Sequence, residues 1–157
     1  MLDSKNFCLH TGVRTFEAAA YLRSCGADTV EVKKLFADSM LTYSRKTAIV
    51  SSAKLYKDCA ISFDTESDAV TRVASSQAAD ELLNLENINA SFVMYKDGDE
   101  ISISARSLGA VNVQLIMEQL GGGGHQNMAA CQLKCDNYQK AYKVLLEAIN
   151  EYKNNLP

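Results

Sequence analysis

Two short stretches hold most of the groups in this chain that could do chemistry. In ISISARS, residues 101–107, strand alternation sends Ile101, Ile103 and Ala105 to one face and Ser102, Ser104 and Arg106 to the other, with Ser107 at the strand end. Arginine presents a planar fork of donors that matches paired phosphate or carboxylate oxygens, and serines add neutral hydrogen bonds beside it. An exposed sheet face with a solvated arginine fits the same spacing. The second stretch is GGGGH, residues 121–125. Gly121 alone suffices to end a preceding helix in the left-handed conformation. Gly122, Gly123 and Gly124 are then surplus, and each costs chain entropy on folding. Such a surplus points to backbone that a ligand approaches closely, with successive N–H groups arranged as an anion-binding nest. His125 can donate from either tautomer and adds charge when protonated. Following the glycines, and with Arg106 shortly upstream, it reads as a ligand-binding residue rather than a solvated one. The order helix, glycines, strand, with no Lys-Ser/Thr after it, is not that of a Walker loop.

The elements that must position these groups follow from periodicity. RTFEAAAYLRSCGAD predicts a helix capped by Thr15 and stopped at Gly26, with Ala18, Leu22 and Cys25 on one stripe. Asp28 and Glu31 resemble a capping box for a second helix, and SMLTYSRKTAIVSSAK continues helical. Residues 1–52 thus read as a helical lobe ending in a connector. From Leu55 the period changes. LYKDCAISFD alternates as one strand, with Cys59, Ile61 and Phe63 on one face. The following stretch is helical, with Val70, Val73, Ala74, Ala78, Leu82 and Leu85 inward. ASFVMY and EISISARS form a hairpin turned at Asp97 and Gly98. Asn112 caps a helix with Val113, Ile116, Met117 and Leu120 on one face; the glycines, the strand MAACQLK and a last amphipathic helix complete the chain. Residues 53–157 therefore read as an α/β domain, a β-sheet covered by helices.

Composition narrows the function classes. With 157 residues, 47% of them hydrophobic, the chain can bury one good core with a small attachment. Its apolar runs are too short to cross a bilayer and MLDSKNF lacks the pattern of a signal peptide, so direct membrane contact is not expected. Cys8, Cys25, Cys59, Cys131 and Cys135 are odd in number and contain no C-x-x-C pair, which fits reduced thiols in a cytoplasmic setting. His10 and His125 lack metal-ligand spacing, so no self-contained metal constellation is encoded. A net charge of −3 gives no global attraction to a nucleic-acid backbone, whereas a small anionic ligand remains open.

The stretch GGGGHQNMAAC, preceded by SISARS and a helix, resembles the DHHA1 domain, the substrate-binding half of DHH-type phosphoesterases. LDSKNFCLHTGVRTFEAAAYLRSCGADT is similar to the last part of the DHH domain in bacterial cyclic-di-AMP phosphodiesterases, with Ser4 where that subfamily usually has threonine. The resemblance implies a DHHA1-type mixed β-sheet flanked by helices over 53–157, preceded by the tail of a DHH catalytic domain and a connector helix over 1–52. It also implies two manganese ions held mostly by an upstream catalytic half in cis, with Asp3 alone matching a metal ligand. Ser104, Arg106, Ser107, Gly122, Gly123, Gly124 and His125 would then bind a cyclic dinucleotide or short oligonucleotide. The complete protein would hydrolyse cyclic-di-AMP to pApA, anchored to the cell membrane by upstream helices, while this segment faces the cytoplasm. The chain alone would bind nucleotide without cleaving it; a homodimer stays open. The alternatives are another DHH enzyme such as a nanoRNase or pAp phosphatase, a non-catalytic RNA-binding module, and a structural domain.

Overall fold

A computed structural model describes residues 4, 7, 11–135 and 137–155. Asp3, Cys8 and His10 lie outside the described residues. The chain forms two compact units, Met1–Asp38 and Ser39–Pro157.

The first unit contains α1 (Val13–Ser24) and α2 (Thr29–Lys34). Gly12, not Thr15, is the N-cap of α1; Thr15 sits at the third helical position, where its hydroxyl accepts from the Gly12 N–H at 3.4 Å. Gly26 adopts φ +97° just past the helix end, the left-handed stop expected there. Asp28 caps α2, accepting from the Val30 and Glu31 amides. No residue of either helix is buried: the stripe that includes Leu22 is present, but Leu22 is exposed.

The second unit opens with α3 (Met40–Ser51), the helix expected as a connector. It packs on α4 (Thr71–Leu82) and on β2 (Cys59–Asp64), with Ile49 buried and the Ser62 hydroxyl donating to the Ile49 carbonyl. The stretch read as one strand is a hairpin, β1 (Lys54–Tyr56) turning into β2. Its two-residue turn is Lys57-Asp58, and Lys57 takes φ +54°. The chain continues with β3 (Ala90–Asp97), β4 (Glu100–Ser107), α5 (Val113–Gln119), β5 (Gly123–His125), β6 (Met128–Leu133) and α6 (Tyr138–Asn154). The six strands form one mixed sheet in the order β1-β2-β3-β4-β6-β5. Only β2 and β3 pair in parallel, and the crossover this requires is α4. Gly98, at φ +64°, turns β3 into β4.

Both faces of the sheet are covered, unequally. On one, Phe92, Met94, Ile101, Ile103 and Ala105 pack with Val113, Ile116 and Met117 of α5 and Leu145 and Ile149 of α6. On the other, Ala60 and Val93 pack under Ala74, Ala78, Ala79 and Leu82 of α4 and Ile49 of α3. Val73 and Leu85, expected to face inward, are 53% and 42% exposed; Thr71, Ser75 and Ala79 take the buried side instead. This second layer lies over β2 and β3 and leaves the β6 residues of that face, Met128, Ala130 and Gln132, exposed.

Candidate functional site

The sequence-predicted residues meet where the layer over β2 and β3 gives way to the exposed strand β6. Cross-strand pairs share a face, so register places side chains in rows. Arg106 of β4, Met128 of β6 and His125 of β5 form one row. Ser104, Ala130 and Gly123 form the next, and Ser102 with Gln132 the third. Arg106 and His125 therefore stand two strand spacings apart, roughly 10 Å. The row beside them is built of small residues. The result is a strip of sheet surface with a cation on one strand, an imidazole two strands away, Met128 between them and a row of small residues alongside.

Arg106 is held, not loose. Its Nη1 donates to Ser104 Oγ at 3.0 Å and to the Ala105 carbonyl at 2.9 Å, and its Nε lies 3.4 Å from Asp80 Oδ1. That Nε pairs in charge with Asp80 without a well-directed hydrogen bond. Nη2 keeps its donors for another acceptor, in a fork already oriented. His125 is exposed, and its ring makes no hydrogen bond among the described residues. Its position is set by the Gln126-Asn127 turn, which the preceding loop clasps. Ser107 N–H donates to Asn127 O at 3.0 Å, Val113 N–H to Gln126 O at 3.0 Å, and Gln126 Nε2 to Gly109 O at 3.2 Å.

Residues 51–152 match the family model of the DHHA1 domain. The chain belongs to the DHHA1 domain family. It is 47% identical over 154 residues to the cyclic-di-AMP phosphodiesterase PdeA of Listeria monocytogenes, covering 97% of this chain and 23% of that protein. It is 45% identical over 156 residues to the cyclic-di-AMP phosphodiesterase GdpP of Bacillus subtilis, covering 97% of this chain and 24% of that one. The DHHA1 chain thus spans about a quarter of the length of these relatives. An exopolyphosphatase-related protein from Bacteroides fragilis superposes with a TM-score of 0.86 at 22% identity, covering 98% of this chain and 48% of that one. At that identity the match concerns the fold.

Within the DHHA1 sheet the seven expected binding residues do not share one role. Ser104, Arg106, Gly123 and His125 share one face of the sheet, where His125 is exposed and Ser104 is only 4% exposed with its hydroxyl against Arg106 Nη1. Ser107 does not: alternation turns it, with its partner Ala90, to the opposite face, where it is 2% exposed and its hydroxyl accepts from the Gly109 amide at 2.9 Å. The glycines form a helix stop and then β5, not a free loop. Gly121 N–H bonds Glu118 O and Gly122 N–H bonds Met117 O, a paired closure of α5 that commits the Gly122 amide and shortens the expected nest. The residues that sequence reasoning passed over, Met128, Ala130 and Gln132, were available from the alternation of MAACQLK.

Nucleophile and metal chemistry are not concentrated here. Burial pushes the Cys59 and Cys131 thiols up to about 12, so neither is a thiolate at neutral pH. Among the described residues no three His, Cys, Asp or Glu side chains converge to hold a metal ion, so they do not fit a two-metal centre. No helix of the described residues is long and apolar enough to cross a membrane.

Proposed function

We propose that this chain is the substrate-binding part of a phosphodiesterase that hydrolyses cyclic-di-AMP to pApA. The observation that carries the reading is the row that sets Arg106 and His125 on either side of Met128, beside a row of small residues, Ser104, Ala130 and Gly123, toward the exposed edge of the sheet. The identity with PdeA and GdpP supplies the ligand class. Arg106 grips phosphate oxygens with the side of its guanidinium that Ser104, Ala105 and Asp80 do not use. The Ser104 hydroxyl fixes the plane of that fork, since it accepts from Nη1. His125 donates to the same ligand from the far side, and Gly123 lets sugar and phosphate lie close to the strand. Two manganese ions, Asp3 and an upstream catalytic half in cis belong to this proposal as the source of cleavage. The part played by 39–157 is to bind and orient.

Calorimetry of the chain with cyclic-di-AMP and pApA tests this. Arg106→Ala and His125→Ala each weaken pApA binding, the arginine change by about tenfold, as expected for one charge-assisted hydrogen bond. Incubation with manganese and cyclic-di-AMP yields no pApA from this chain alone. Unchanged affinity in both variants, or turnover by the isolated chain, refutes the assignment. Tighter binding of pAp than of either dinucleotide moves it to a phosphatase of the same family.

A further inference from the structure

A pocket of about 400 Å³ opens on the same face of the sheet, at the end of β4 remote from Arg106. That volume lies within the range of small-molecule sites. Its lining includes Ser102, Tyr95 of β3, Gln132 of β6, Glu100, Arg72 from the first turn of α4, and Lys134 just past β6. None of these six belongs to the Arg106–His125 row. They occupy the third row and what lies beyond it.

Two features suit this pocket to a ligand. Ser102 and Tyr95, paired directly across β4 and β3, are only 4% and 7% exposed. Yet neither hydroxyl makes a hydrogen bond among the described residues. Neither oxygen is sealed off from solvent, so both hydroxyls open on the pocket and are free to meet a ligand there. The second feature is charge. Arg72 and Lys134 are exposed at the pocket, and neither forms an ion pair among the described residues. Glu100 brings one carboxylate to the same lining. Two cations, a carboxylate, an amide and two hydroxyls that open on the pocket suit a ligand that carries an anion together with hydroxyl and amino donors.

We propose that this pocket is a second nucleotide subsite, in which Arg72 and Lys134 hold the phosphate while Ser102, Tyr95, Gln132 and Glu100 meet the sugar and base edge. The proposal rests on the nucleotide reading of the Arg106–His125 row and adds what discriminates a dinucleotide from a mononucleotide. Arg106 and Ser102 are four residues apart on one strand, roughly 13 Å at the rise of a strand. The two ends can therefore engage separate nucleotide units of one ligand.

The test is calorimetry of the full 157-residue chain with pApA and with AMP. Wild type binds pApA more tightly than AMP. The double variant Arg72→Gln/Lys134→Gln loses about tenfold in pApA affinity while AMP affinity holds, so the ratio collapses. Ser102→Ala lowers the same ratio in a pocket with unaltered charge. Circular dichroism checks the fold, and each single Gln variant carries the test if the double variant misfolds. An unchanged pApA-to-AMP ratio overturns the subsite alone, with Arg106→Ala still weakening both ligands. Failure of wild type to bind either nucleotide overturns the subsite together with the functional reading beneath it.

Discussion

Gly122, Gly123 and Gly124 are neighbours in the chain under different constraints. A Cβ on Gly122 would stand 2.2 Å from Ala130 O and 2.4 Å from Cys131 Cβ; on Gly124, at φ +149°, it would stand 2.5 Å from Ala129 Cα. Both glycines let β5 and the end of α5 press against β6. Gly123 meets nothing within 4 Å, so folding does not require glycine there. Gly123→Ala is therefore expected to keep the thermal midpoint of wild type and to weaken pApA binding, because the added methyl enters the open space over β5 where the proposed ligand lies. Gly122→Ala is expected to cost at least about 1–3 kcal/mol of stability, the usual cost of overpacking, whatever it does to affinity. Thermal unfolding alongside calorimetry separates the two; a Gly123→Ala variant that binds like wild type removes Gly123 from the ligand. Sequence could show that four glycines are more than a helix stop needs. It could not divide them, because the clashes come from Ala129, Ala130 and Cys131, whose placement depends on the β5–β6 register.

At the scale of elements, the side-chain period made β3, β4, α5 and α6 legible, and with them the shared face of Ser102, Ser104 and Arg106. The β1–β2 hairpin was hidden for a physical reason. Cys59, Ile61 and Phe63 set an alternation that reads as one strand with the residues before it, and Lys57 accepts a positive φ where glycine or asparagine would have announced the turn. The joints between elements are polar and equally silent in sequence. Arg45 of α3, 6% exposed, reaches Asp64 Oδ1 at 2.8 Å, Asp68 Oδ2 at 2.6 Å and Glu66 Oε2 at 2.5 Å, tying the helix to the β2–α4 connection. Arg45→Ala would leave the buried Asp64 carboxylate without its cation, and urea unfolding should register a loss of about 3–5 kcal/mol. A second joint links the β1–β2 turn to α6 through Asp58 and Lys153. Burial alone would raise the Asp58 carboxyl, but hydrogen bonds from Lys153 and Asn89 outweigh it and hold the group below its ordinary range. A depressed carboxylate contributes stability in full above the ordinary value and loses it as pH falls through the folded one. Wild type should thus lose this contribution below about pH 4, whereas Lys153→Met lacks the share that Lys153 supplies throughout. The two stability curves are expected to differ near neutrality and converge in acid; parallel curves would rule out the pairing as a stability term.

For the whole molecule, the two units differ in how they are stabilised. Both buried clusters draw their residues from 49–152, inside the second unit, while α1 and α2 bury none of theirs. Residues 39–157 alone should therefore unfold cooperatively and bind pApA as tightly as the full chain, measured by thermal scanning and calorimetry. A molten 39–157 piece, or one that has lost binding, would show that the first unit supplies more than a neighbour. The order β1-β2-β3-β4-β6-β5 has one more consequence, for how the molecule behaves in a crowd. Both borders of the sheet are three-residue strands, Lys54–Tyr56 and Gly123–His125. A foreign strand that docked at either border would find only a few ladder bonds to make, and at one of them glycines rather than apolar side chains to pack against. The sheet is thus poorly suited to templating its own addition. Its long, β-prone strands, β3 and β4, are enclosed at the centre, where an unfolding event would be needed to expose them to aggregation.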